Sequence, residues 1–283
     1  PATAGPSVPG ATGSAPGESA ATPGASTPGA TASGPRTPAS PTTPATAPPS
    51  AQDIPALMGL AWSRFKAGNL AEAAQAFGRV LDAAPPPDVR AEAAFAQGRI
   101  LDRLEQPDGA LAMYDRVVAE GAGTPQHPEA IYFAARLRDQ LQQDREAAAL
   151  YERLDREYPK FERRDAVLYQ WAWARRDLGE AAEADRLFER LRAEFPGSRY
   201  AADAVYRLAE TAYLAKDYDK SQALLDGLLS GQAEPQTRQY ARYLLGQIAI
   251  ARQQWDEVER QFQEYVREFP SGPQRSVADF WIA

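Results

Sequence analysis

The sequence predicts an all-α solenoid of about six helical hairpins behind a disordered N-terminal segment. Three observations carry this. First, residues 166–196 read as two amphipathic helices divided at Gly179 and closed by Pro196. Leu168, Trp171, Ala172 and Trp173 fall at helical spacing in the first, and Ala181, Ala184, Phe188 and Leu191 in the second. Neither helix can bury its stripe alone in water. Second, the pattern recurs in steps of 37: Phe188 is matched by Phe77, Tyr114, Tyr151, Leu225 and Phe262. Third, the composition breaks near residue 50. Residues 1–50 hold twelve of the 24 prolines, no aromatic residue, and Glu18 and Arg36 as their only charges.

Residues 1–50 form a Pro/Ala/Thr/Ser/Gly mixture with almost nothing apolar to offset the entropy of ordering, so disorder is expected. The chemistry is that of a spacer or an O-glycosylated stalk, a passive tether rather than a recognised Pro-rich ligand, roughly 40 Å across as a flexible coil and more with proline stiffening it. Residues 51–283 form one array, with repeats at 53–85, 89–122, 127–159, 164–196, 201–233 and 238–270, and a partial seventh at 275–283. In the first repeat, Asp53 reads as the cap and Pro55 as a first-turn residue. Gly68-Asn69 makes its turn, and Pro85-Pro86-Pro87 stops its second helix. Asp88 reads as the cap of the second repeat, which ends in the loop from Gly121 to Pro128, the place expected to flex most. The third repeat is polar around its turn, and the fourth sets the pattern. The fifth departs most, with Leu224, Leu225, Leu228 and Leu229 in place of an aromatic anchor. The sixth ends at Phe269-Pro270-Ser271-Gly272-Pro273. Val277, Phe280, Trp281 and Ile282 are too apolar for a terminal cap, so the array is expected to continue past Ala283.

Three further columns keep the period. Four residues before the anchor stand Ala73, Ala110, Ala147, Ala184, Ser221 and Val258. A small-residue column reads Ala61, Gly98, Ala135, Ala172, Ala209, Gly246 and Ala283. An aromatic-rich column reads Met58, Phe95, Tyr132, Tyr169, Tyr206, Tyr243 and Phe280. A small residue in the first helix, Ala-x3-aromatic in the second and Pro eight residues later resembles the tetratricopeptide repeat. The departures are the longer period, Ala122 and Ala233 in the proline column, and Glu105, Gln142, Lys216 and Gln253 where Gly68 and Gly179 stand. The resemblance implies a right-handed α–α superhelix whose first helices line a concave, partner-binding groove. FPGSRYAADAVYRLAE, residues 195–210, is similar to the inter-repeat segment of bacterial envelope proteins of the BamD-like and CpoB-like type. That implies a periplasmic location on the cell envelope and work in outer-membrane assembly or maintenance. No lipobox cysteine is present in these residues, and a cytoplasmic location stays open.

Composition narrows the chemistry. Without Glu18 and Arg36 the array holds 30 basic and 37 acidic residues, a net charge of −7, which argues against nucleic acid. No run is apolar enough to span a membrane, so any membrane tether would come from a segment outside these residues. Zero cysteine excludes disulfides and thiolate chemistry here. No cofactor motif, metal-ligand spacing or catalytic group is found, and the sole histidine, His127, reads as loop decoration between Pro125 and Pro128. Carboxylates such as those of Asp144 and Glu152, near Arg156, read as solvated ion pairs.

The candidate binding residues are therefore first-helix positions. The column after the small residue reads Trp62, Arg99, Arg136, Trp173, Glu210 and Gln247, and three residues further Phe65, Asp102, Asp139, Arg176, Tyr213 and Ile250. Trp62, Phe65, Arg99, Arg103, Arg136, Trp173, Arg176 and Tyr213 mix aromatics with arginine as interface hot spots do. They would suit an acidic or C-terminal segment of a partner protein. Alternatively Trp62 and Trp173 pack between consecutive helices, the reading favoured for the tyrosine column. The expected function is a non-catalytic interaction scaffold. The alternative is an accessory region of a larger enzyme or signalling protein.

Overall fold

A computed structural model describes residues 50–283, all within one compact unit. Nearly all of the segment expected to be disordered, 1–50, lies outside the described residues. Every regular element among the described residues is helical, and the α-helices form hairpins in chain order. These are α1 (Ile54–Lys66) with α2 (Leu70–Asp82), α3 (Pro87–Arg103) with α4 (Pro107–Glu120), and α5 (Gln126–Gln140) with α6 (Asp144–Glu157). There follow α7 (Arg164–Asp177) with α8 (Ala181–Glu194), α9 (Ala201–Leu214) with α10 (Tyr218–Ser230), and α11 (Pro235–Ala251) with α12 (Trp255–Glu268). A last helix, α13 (Arg275–Ile282), packs on α12. Each helix packs on the next in sequence, and α3, α5, α7, α9 and α11 also touch across hairpins as α3–α5, α5–α7 and α9–α11. This is the tetratricopeptide solenoid.

All six hairpin turns share one backbone device. The residue ending each turn has positive φ: Gly68 (81°), Glu105 (56°), Gln142 (60°), Gly179 (78°), Lys216 (62°) and Gln253 (58°). Its N–H returns to the carbonyl three residues back, and the next N–H reaches five back, as in Gln142 to Asp139 and Gln143 to Arg138. This pair of bonds closes a helix through one left-handed residue. The four departures from glycine thus keep the conformation while bearing its steric cost.

Between the two helices of each hairpin the small column meets the anchor column. Phe77, Tyr114, Tyr151, Phe188, Leu225 and Phe262 are all fully buried, and Ala61, Ala135, Ala172 and Ala209 with them. A Cβ on Gly98 would lie 2.8 Å from the Tyr114 ring, and one on Gly246 2.6 Å from that of Phe262. The ring therefore occupies the space that a larger residue would need.

Hairpin exits follow from proline. Tyr158, Phe195 and Phe269, each preceding a proline, leave the helix at φ near −130° (−129°, −132° and −129°), since proline disfavours helical geometry before it. In the 195–210 phrase, Ser198 Oγ donates to Asp165 (2.6 Å) and accepts from the Tyr200 N–H (3.1 Å). Tyr200 then stacks on Tyr169 at 4.6 Å.

Three local expectations are corrected. Asp53 does not cap α1; its carboxylate turns back to the Ser50 N–H (2.9 Å) and hydroxyl (2.8 Å), capping a preceding 3₁₀ turn. Asp88 is not a cap either: α3 starts a residue earlier, at Pro87, and Asp88 lies in its first turn. His127 is no loop ornament. It lies inside α5, 1% exposed, with Nδ1 2.5 Å from the Tyr158 hydroxyl and Nε2 3.1 Å from the Val118 carbonyl. Because that carbonyl only accepts, Nε2 carries the proton that bonds it.

Candidate functional site

The candidate residues lie on α1, α3, α5, α7 and α9, and the structure divides them into two groups. Trp62, Phe65, Arg99 and Arg103 come together. With Glu92, Phe95, Ala96, Ile100 and Gln126 they line a cleft of about 340 Å³ between α1 and α3, at the start of α5. Its floor is aromatic and fixed: Trp62 meets Phe77 and Phe65 edge-on at 5.1 and 5.7 Å, and its indole N–H donates to Glu92 (3.2 Å). Arg99 lies over the Phe133 ring at 4.1 Å, held by cation–π attraction. Arg99 and Arg103 are both exposed, and among the described residues neither forms an ion pair.

The other four are engaged with the protein itself. Arg136 pairs with Asp102 at 3.0 Å, and Arg176 with Glu210 at 2.6 Å. Trp173 is half-buried, with Arg207 at 4.9 Å, Arg176 at 5.5 Å and Phe188 at 6.3 Å. Tyr213 packs on Tyr218 at 5.7 Å. Of the four candidate arginines, Arg99 and Arg103 are therefore the two without an acidic partner among the described residues. Packing, the alternative entertained for the tryptophans, describes Trp173, whereas Trp62 both packs and faces the cleft. In the tyrosine column Tyr169 donates its hydroxyl to Asp203 (2.8 Å), and burial, then the charge of Asp203, push its pKa up to about 12.

Both ion pairs obey one offset. A residue in the Phe65–Asp102–Asp139–Arg176 column meets the residue 34 positions later, in the next hairpin's Trp62–Arg99–Arg136–Trp173–Glu210 column. Arg163 with Glu129 keeps the same 34-residue separation. Asp139 is the exception, because the residue 34 positions on is the uncharged Trp173. Burial, then the charges of Asp144 and Asp177, push its pKa up to about 6. The ion pairs expected around Asp144 are not formed. Asp144 Oδ1 is buried without a partner, Glu152 pairs instead with Arg175 (3.3 Å), and Arg156 with Glu157 (3.6 Å).

A second set of residues escaped the sequence reading. Arg90, His127, Arg164 and Arg238 share a column in steps of 37 and fasten each hairpin to itself and to the stretch before it. Forward, Arg90 reaches Glu120 (3.0 Å), Arg164 reaches Glu194 (2.5 Å) and Arg238 reaches Glu268 (2.7 Å), each 30 residues on. Backward by nine residues, Arg164 reaches Asp155 (2.6 Å), Arg238 the Leu229 carbonyl (2.9 Å) and His127 the Val118 carbonyl. His127 thus does with its ring what arginine does elsewhere. The column itself was the available signal.

Comparison with known proteins fits this architecture. A tetratricopeptide-repeat family model matches residues 58–123 and 95–160, and a model described as an outer membrane lipoprotein (YfiO) matches residues 161–273. Among solved structures, PilF of Pseudomonas aeruginosa is similar at 15% identity and a TM-score of 0.53, over 81% of this chain and 98% of its own. MamA is similar at 16% identity and a TM-score of 0.53, over 63% of this chain and 91% of its own. At such identity the likeness is one of fold. No curated protein sequence matches. The chain folds as a tetratricopeptide-repeat solenoid, with the repeat match over residues 58–160 and the outer membrane lipoprotein match over residues 161–273.

Proposed function

We propose that the chain is a non-catalytic scaffold of the bacterial cell envelope, acting in outer-membrane assembly or maintenance. It holds an acidic segment of a partner protein on the first-helix face. The outer membrane lipoprotein match over residues 161–273 supports the compartment, and families of this kind are non-catalytic as a rule. The observation that carries the binding mode is the α1–α3 cleft, where an aromatic floor is rimmed by two arginines that have no acidic partner among the described residues. An apolar side chain would desolvate against Trp62, Phe65 and Phe95, while flanking carboxylates meet Arg99 and Arg103. The cleft offers shape and charge, which is binding chemistry.

The test uses a fluorescent dodecapeptide alternating carboxylates with leucine and phenylalanine, read by anisotropy. Binding to the wild-type chain, weakened at least tenfold by R99E/R103E and further by added salt, is the expected result. Undiminished affinity in that variant would reject the site. R136E/R176E probes the other group and should act on stability, because those side chains hold neighbouring hairpins together. The compartment is tested separately, by fractionating cells that express the protein.

A further inference from the structure

We propose that the fifth and sixth hairpins carry a second binding site, a polar trough that takes a neutral oligosaccharide. It lies away from the α1–α3 cleft and does not depend on the acidic-segment reading of that cleft.

Two clefts make the trough. One, of about 790 Å³, lies between α10 and the start of α12, with Gln222 on one side and Trp255 and Arg260 on the other. The second, of about 520 Å³, lies at the α9–α10 turn, with Lys216 and Tyr218 in its wall. Both are lined by Arg252 and Gln254, so they are continuous.

The aromatic residues here are not repeat residues. Tyr218 and Trp255 stand 37 apart, each opening the second helix of its hairpin, in a column that reads Leu70, Pro107, Asp144 and Ala181 in the first four hairpins. Those four hairpins stack without a ring at this position, and the two that have one are the two that form the trough. Trp255 is 58% exposed. The Trp281 ring lies parallel to it, with centroids 6.3 Å apart, and braces the indole.

The polar lining is largely unused by the fold. Among the described residues the side-chain amides of Gln253 and Gln254 and the indole N–H of Trp255 form no hydrogen bond, and Gln222 engages only its Oε1, which accepts from Arg252 (2.9 Å). The charges close on themselves. Arg252 pairs with Asp219, Arg260 pairs with Glu257 (2.5 Å), and Asp217 caps α10 by accepting the Lys220 N–H (3.1 Å). Lys216 and Asp256, one of each sign, form no ion pair among the described residues.

These features select the ligand. A trough whose charges cancel offers a charged polymer no complementary potential. Its amides both donate and accept while its carboxylates accept, so the fitting ligand carries donors and acceptors together. A proline-rich segment lacks N–H donors and would leave those acceptors unpaired. Sugar hydroxyls do both. The C–H bonds on the flat face of a β-linked hexose present their positive ends to the negative face of an indole. An aromatic wall with a few convergent polar groups is how small-molecule clefts are built. Two continuous clefts suit several sugar units rather than one.

Cellotetraose and N-acetylchitotetraose, both neutral and β-1,4-linked, are the probes, with an alternating alanine–proline dodecapeptide as the rival class. Isothermal titration of the chain is expected to show saturable binding of at least one tetrasaccharide, with a Kd of about 1 mM or tighter. Added salt should leave it unchanged, since no net charge is engaged. W255A should weaken it at least tenfold and Q253G/Q254A at least threefold. Glycine suits the left-handed turn at Gln253 (φ 58°), so the second variant removes two amides without disturbing the backbone, and circular-dichroism melts check that both variants fold. R99E/R103E should bind the sugar as the wild type does. No saturable binding of either tetrasaccharide, tighter binding of the proline peptide, or affinity unaltered in either trough variant overturns the proposal.

Discussion

Glu105, Gln142, Lys216 and Gln253 hold the left-handed turn that Gly68 and Gly179 hold without penalty. Each side chain there costs about 1–2 kcal/mol, partly offset by glycine's greater freedom in the unfolded chain. Each of the four changed to glycine should therefore stabilise by roughly 0.5 kcal/mol, and valine at the same positions should destabilise by more than that. Urea unfolding of the single variants measures both. Asp139 yields a second expectation, with a definite sign. Its native pKa is raised from 3.8 to about 6 by burial and by Asp144 and Asp177. Between those values the folded chain keeps a proton that the unfolded chain has released. Stability therefore falls as pH rises from about 4 to about 6 and stays at its lower level above that. D139N should flatten this slope and raise the melting temperature at pH 7.5; an unchanged slope would show that Asp139 does not set it.

Within an element pair, the small column is a steric requirement rather than a propensity. The ring of Phe262 lies 2.6 Å from the place where a Cβ on Gly246 would stand. G246A should cost about 1–3 kcal/mol through overpacking. In the fifth hairpin Ala209 and Leu225, both fully buried, fill the equivalent positions. Adding F262L to G246A should accordingly recover much of the loss, giving a double-mutant coupling well above 0.5 kcal/mol in size. Additive effects would mean that the two columns do not meet as described. Helix identities and hairpin turns were legible in the sequence because both depend on local periodicity and on residues that the 37-residue register makes comparable. The true caps of α1 and α3 were not, since whether Asp53 turns forward or back is settled by Ser50 and not by its own preference.

Across the whole molecule, the sequence revealed the stacking unit but not what each unit does to its neighbour. Columns align residues that are equivalent, whereas contacts join residues that are not. Arg136 meets Asp102 and Arg176 meets Glu210 at a separation of 34, three short of the repeat. Read column by column, those arginines looked like a binding surface; read along the offset, they are struts. His127 was misjudged for the converse reason. A lone histidine suggests nothing, and only its column with Arg164 and Arg238 shows a latch between hairpins. What survives as accessible and without an acidic partner among the described residues is the α1–α3 cleft with Arg99 and Arg103. Hydrogen–deuterium exchange of the wild-type chain with and without the acidic–apolar dodecapeptide tests the first-helix face as the binding face. The account requires new protection concentrated in α1, α3 and the start of α5, and lost in R99E/R103E; protection centred on α2, α4 and α6, or unaltered in that variant, would contradict it.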